Sequence, residues 1–138
     1  MTGIEIMSNR IIKFRLWKIK EKKFASLKDL SEKYLLMLDG TLCIHEYEAR
    51  ELNSEDYVIQ EFTGLKDKNG REIYDGDILT GDSFDYNYKV EYEPGMFFLK
   101  NPERLDFRYA LAAWGNKCQV IGNIFQNPKL LKCIKINT

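Results

Sequence analysis

Phe62 to Leu79 reads F-T-G-L-K-D-K-N-G-R-E-I-Y-D-G-D-I-L, and its three glycines, Gly64, Gly70 and Gly76, bend the backbone at fixed points. Tyr57 to Phe62 is β-branched and aromatic and suits a strand. Asn69-Gly70 then places two residues tolerant of positive φ between charged flanks, so the segment predicts strand, tight turn, strand. Asp75-Gly76-Asp77 is a second turn signal that releases the chain into Ile78-Leu79. Gly70 and Gly76 are both expected at φ values costly for other residues. Turns this frequent between β-prone runs predict a mainly β (β-rich α+β) fold.

At 138 residues, 44% of them hydrophobic, the chain is sized for one domain with one core, expected over 10–138 after a loose tail at 1–9. Lysines and arginines number 21, as do aspartates and glutamates, so no global field draws in nucleic acid or a membrane surface. Cys43, Cys118 and Cys133 are widely separated and form no C-x-x-C, which predicts reduced thiols and a cytoplasmic setting. Met1 to Asn9 has no long apolar core, so a signal peptide is not expected, and no apolar run in the sequence approaches the ~18 residues a membrane span needs.

Along the chain, Ile12, Phe14 and Leu16 alternate with Lys13 and Arg15, predicting a half-buried first strand with the three apolar residues on one face. Lys18 to Lys23 reads as an exposed, solvated turn. Ser26, with Asp29 three residues later and Leu27 and Leu30 at helical spacing, predicts one or two helical turns over Ser26 to Lys33. Tyr34 to Leu38 and Thr41 to Tyr47 flank Asp39-Gly40, the two-residue signature of a type I′ hairpin. The competing reading continues a helix from Leu27 through Leu38; the hairpin is preferred. Glu46 to Asp56 is polar and expected to be an exposed connection.

Further on, Tyr88 to Glu93 and Met96 to Lys100 flank Pro94-Gly95 as a second hairpin. Asn101, Pro102 and Glu103 look like a helix start. Phe107, Ala110, Leu111 and Trp114 follow at i, i+3, i+4 and i+7, the strongest helical signal in the chain. Gln119 to Phe125 returns to strand character, with Gly122 marking a bulge or a close backbone approach. The tail from Pro128, with Leu130, Leu131, Ile134 and Ile136, could pack or serve as an interface strand.

Thr63-Gly64-Leu65-Lys66-Asp67-Lys68-Asn69-Gly70, with Glu72-Ile73-Tyr74 and Gly76-Asp77-Ile78, resembles the central block of the YopX family of phage and prophage proteins. Ile12-Lys13-Phe14-Arg15 with Trp17 is similar to the family's opening I-K-F-R-A-W. Val120-Ile121-Gly122-Asn123-Ile124-Phe125 with Asn127-Pro128 and Leu130-Leu131 is similar to its closing V-I-G-N-I-Y-E-N-P-E-L-L. The blocks fall in order over residues 10 to 131. Leu16 replaces an alanine, Lys18 an aspartate and Phe125 a tyrosine, while Leu27 to Glu55 carries no match. The resemblance implies a small SH3-type β-barrel, to which the residues add a hairpin and one or two short helices. It also implies homo-oligomers of several chains and no assigned activity. Thr63, Gly64, Leu65, Asp67, Asn69, Gly70, Ile73, Tyr74, Gly76 and Asp77 are its motif positions.

No residue set points to catalysis. His45, the single histidine, sits in the predicted hairpin between Ile44 and Glu46 and reads as an ordinary strand residue. Placing Gly70 sixth in a calcium loop puts Leu65 first and Gly76 twelfth, neither of which has a side-chain oxygen. Asp75 and Asp77 with Glu72 could approach a metal, but aspartates in D-G-D turns more often accept turn amides. The glycines form neither a dinucleotide nor a phosphate loop. Phe84, Tyr86, Tyr88 and Tyr92 lie near Lys89, yet Asp82, Asp85, Glu91 and Glu93 crowd them, favouring a core or protein-contact role over base stacking. The expectation is a non-enzymatic interaction or assembly module without cofactor or metal. It would act as a homo-oligomer through Leu36 and Leu42 and contact a phage or host protein. The runner-up is a nucleic-acid-associated small barrel, and a metal-dependent hydrolase using the Asp75/Asp77 turn is a distant third.

Overall fold

In the computed structural model, residues 11–37, 41–45, 49–51 and 55–132 are described. They fall into two compact units, one of residues 14–60 and the other of the flanking residues 11–13 and 61–132. The fold is mainly β, with short helices.

The unit of residues 14–60 starts with β1 (Phe14–Lys18) and β2 (Lys23–Phe24). The turn between them contains Lys22 at φ +54°, in the left-handed region. The expected one-sided strand is not found. Ile12 precedes β1 and is 65% exposed, and Phe14 is exposed, while Leu16 and Trp17 are both buried. Both faces of the strand's end are covered, since the Trp17 ring meets Phe24 edge-on at 4.9 Å. Lys18 is likewise no solvated turn residue: its ammonium is buried between Asp29 at 3.3 Å and Glu21 at 3.4 Å.

Ser26 caps α1 (Leu27–Glu32) by accepting the Asp29 N–H at 3.1 Å. The helix stops there, because β3 (Tyr34–Leu36) pairs antiparallel with β4 (Leu42–His45). The hairpin is therefore correct and the longer helix is not. Its register differs from the expectation, however: Leu36 faces Leu42 and the Met37 N–H donates to the Thr41 carbonyl at 2.8 Å. That places three residues, 38–40, between the last partners rather than the two of a type I′ turn; Asp39 and Gly40 lie outside the described residues. The expected connection over 46–56 contains a strand instead, β5 (Ala49–Glu51), paired with β4. A polar edge strand takes its stability from ladder hydrogen bonds, which leave no apolar alternation in the sequence.

β6 (Tyr57–Lys66) carries the chain into the second unit, where it pairs with β7 (Glu72–Tyr74). β8 (Asp77–Thr80), β9 (Tyr88–Glu93), β10 (Met96–Lys100), β11 (Tyr109–Ala110) and β12 (Gln119–Asn123) follow. These form an antiparallel sheet in the order β11-β10-β9-β8-β12, curled into half a barrel. Its core is Ile73, Leu79, Phe84, Tyr88, Val90, Leu99, Leu111, Cys118 and Val120. Pro94-Gly95 closes β9 onto β10, with Glu93 facing Met96 and Gly95 at φ +100°.

The strongest helical signal yields only one turn, α2 (Leu111–Trp114), continued by a 3₁₀ turn at Gly115–Lys117. Tyr109 and Ala110 instead extend the sheet opposite Leu99 and Phe98. The Tyr109 ring stacks on Phe84 at 4.5 Å and meets Tyr88 and Trp114 edge-on. The helical spacing of the apolar residues thus serves a strand followed by one turn, both facing the same core. Asn101 still caps: its Oδ1 accepts the Glu103 N–H at 2.7 Å, but the structure it caps is a turn.

Gly70 at φ +82° and Gly76 at φ +87° hold the expected conformations. Gly70→Val and Gly76→Val are each expected to lower unfolding free energy by about 1 kcal/mol or more. Urea melts of both variants check this, and two unchanged midpoints would contradict it.

Candidate functional site

The motif converges on the β6–β7 loop. The Gly70 N–H donates to the Asp67 carbonyl at 3.0 Å, and neither Lys68 nor Asn69 has positive φ, so Asp67 to Gly70 is a type I turn. Of the two residues tolerant of positive φ, only Gly70 adopts it. Asp67 opens the turn, and its side chain is buried. Its Oδ1 accepts the N–H groups of Asn69 and Arg71, each at 2.9 Å, and its Oδ2 accepts the N–H of Val120 on β12 at 2.9 Å. The Lys68 N–H donates to the Cys118 carbonyl at 2.9 Å. Burial pushes the Asp67 carboxyl upward, but the Val120, Arg71 and Asn69 amides outweigh it and hold it below the usual carboxylate range.

The remaining motif residues do similar work. The Thr63 hydroxyl donates to the Ile73 carbonyl at 2.7 Å and accepts the Leu65 N–H at 3.2 Å. Gly64, at φ +86°, sits where the β6–β7 register shifts between Phe62 and Lys66, as in a bulge. Ile73 is fully buried, and the Tyr74 ring packs on Phe62 at 5.5 Å. The Asp77 carboxylate is buried and accepts the Tyr74 N–H at 2.8 Å across the Asp75-Gly76 turn. Lys13 pairs with Glu72 and lies over the Phe62 ring at 4.8 Å. Every motif position is thereby placed in turns, bulges or core. Among the described residues no three histidine, cysteine, aspartate or glutamate side chains are grouped to hold a metal.

Three buried asparagines act in the same way; sequence reasoning read Asn101 as a cap and Asn123 within the closing block, but missed that they and Asn87 hold distant or turn backbone. Asn101 Nδ2 donates to the carbonyls of Asn87 at 2.7 Å and Leu131 at 3.0 Å, and Asn87 Nδ2 donates to Leu130 at 3.1 Å. Together they hold the 3₁₀ turn Pro128–Leu131. Asn123 Oδ1 accepts the N–H groups of Phe125 and Gln126 at 3.0 and 2.9 Å. At Gly122, beside it, the expected bulge is present between Val120 and Gly122, and what crowds the position is a side chain rather than backbone: a Cβ there would lie 2.3 Å from Asn127 Oδ1. Asn101-Pro102 was the available signal for one of the three; Asn87-Tyr88 and Asn123-Ile124 carry none.

Two grooves offer surface to a partner. In the unit of residues 14–60, Phe14, Leu16, Leu30, Tyr34, Leu36, Leu42 and Ile59, with Arg15, line an apolar groove of about 200 Å³. Leu36 and Leu42 meet there as a cross-strand pair, with Leu36 40% exposed. In the other unit, Lys89, Lys100, Arg104 and Arg108 line a groove of about 330 Å³ with Glu91, Asp106 and Phe107. Arg104 lies over Phe107 at 4.2 Å and Arg108 over Phe98 at 4.3 Å.

This strand-dominated framework, in which motif polar groups hold backbone, defines a class by its fold and not by a reaction. The family model described as YopX protein matches residues 13–132, and the chain belongs to the YopX family. Among solved structures it is similar to protein EF1440 from Enterococcus faecalis. The two are 29% identical, the match covers 88% of this chain and 98% of that one, and the TM-score is 0.56. It also shares a fold with yopX from Bacillus subtilis, at 20% identity, 88% and 97% coverage and a TM-score of 0.55. No curated protein matches the chain. No helix among the described residues is long and apolar enough to cross a membrane.

Proposed function

We propose that this chain is a non-enzymatic interaction and assembly module of phage origin, acting in the cytoplasm of a bacterial host as a homo-oligomer, with its five-stranded sheet serving as an SH3-type barrel. The observation that carries this reading is the groove holding Leu36 and Leu42. β3 is an edge of the three-stranded sheet β3-β4-β5, and a small sheet with a half-exposed apolar face gains stability by pairing with a second copy. A formal net charge of +0 leaves little long-range repulsion between copies. Light scattering over a dilution series is expected to give a mass well above 16.3 kDa. Leu36→Lys or Leu42→Lys is expected to lower it, and a monomer mass throughout would refute the reading.

The second reading, nucleic-acid association, is favoured by the cationic groove. Its charges are largely consumed internally: Lys100 pairs with Glu91 at 3.2 Å, Arg108 with Glu93 at 2.9 Å and Arg104 with Asp106 at 3.3 Å. Affinity for a single-stranded oligonucleotide that fell steeply with added salt would favour it over the assembly reading.

A further inference from the structure

Asn69 is the only asparagine in the chain followed by glycine. Glycine's amide nitrogen is unhindered, which makes this pair the most prone to ring closure between an asparagine side chain and the next residue. We infer that Asn69 is a latent site of spontaneous deamidation, held unreactive in the folded protein by the turn that Asp67 organises.

In the reaction, the Gly70 nitrogen attacks Asn69 Cγ and forms a C–N bond, closing a five-membered imide. The side-chain nitrogen leaves as ammonia, carrying the proton lost from the Gly70 amide. Water then opens the imide at either carbonyl to give aspartate or isoaspartate. One water is consumed and one ammonia released, with no change in oxidation state.

Two observations oppose that attack in the native turn. The nucleophile is engaged, because the Gly70 N–H donates to the Asp67 carbonyl at 3.0 Å. The backbone is also held in the wrong rotation. Asn69 occupies the third position of a type I turn, a position whose typical ψ is about 0°. Its own N–H is fixed on Asp67 Oδ1 at 2.9 Å, whereas ring closure requires the Gly70 nitrogen to swing toward Cγ. Asn69 is otherwise exposed, so water reaches the side chain. Once formed, isoaspartate inserts a methylene into the backbone and a carboxylate beside Asp67. Both changes break the turn that protected the site, so the modification is a one-way loosening of the contact to Val120.

The test incubates the full chain at mildly alkaline pH, in buffer and in unfolding urea, with peptide mapping by mass spectrometry to quantify aspartate and isoaspartate at position 69. Deamidation is expected to be at least about tenfold slower in the folded protein, since cyclisation then waits on local opening. Folded Asp67→Ala is expected to recover most of the unfolded rate. If that variant does not fold, Asp67→Glu, which displaces the carboxylate by one methylene, takes its place with the same expectation. Equal wild-type rates with and without urea, no product in urea, or a folded Asp67 variant as slow as wild type would each overturn the inference.

Discussion

Asp67→Ala is expected to lower unfolding free energy by about 2–4 kcal/mol, because it strips one charged acceptor from three backbone donors at once, of which the Val120 N–H is buried. The Asn69 and Arg71 N–H groups belong to the loop itself, but the Val120 N–H belongs to β12, so the substitution loosens the β6–β7 loop from the five-stranded sheet. The effect has a defined pH dependence. The Asp67 pKa is lowered in the folded state, so its contribution is fully present above the unfolded value and is lost as pH falls through the folded one. The gap between wild type and Asp67→Ala is therefore expected to hold at neutral pH and to shrink below about pH 4, near the unfolded carboxylate value. Urea titrations at several pH values measure it. A gap that widened on acidification would contradict the assigned role.

Leu111→Ala is expected to cost about 2–5 kcal/mol, while Leu105→Ala, six residues earlier, is expected to change stability by under about 0.5 kcal/mol. Leu111 is 1% exposed and packs in the core against the curled sheet, whereas Leu105 is 88% exposed in the turns that follow β10. The pair tests how residues 101–114 fold, since Leu111 faces the core only if Tyr109-Ala110 is a strand that delivers it there. Chemical denaturation of the two variants decides it. Comparable losses at both positions would mean that this segment packs differently.

The family was legible in the sequence because its motif residues are local devices. Gly70 and Gly76 announce positive φ by lacking a Cβ; outside the motif, Ser26 announces a helix cap and Pro94-Gly95 a hairpin in the same local way. The apolar groove was half legible: Leu36 and Leu42 stood in a predicted hairpin, but the register that makes them a pair came from the ladder. What only the tertiary structure decided lay in the segments whose partners are distant. The apolar spacing of Phe107 to Trp114 fits a helix, yet the open edge of β10 turned Tyr109-Ala110 into a strand, and β4 did the same for the polar residues of β5. Lys18 looked solvated until Asp29 was folded against it. Asp67 looked like one more turn aspartate, and what makes it central is the Val120 amide, 53 residues further along the chain. A missing Cβ restricts φ wherever the chain goes, but a carboxylate's acceptors are filled by whatever donors the fold brings to it.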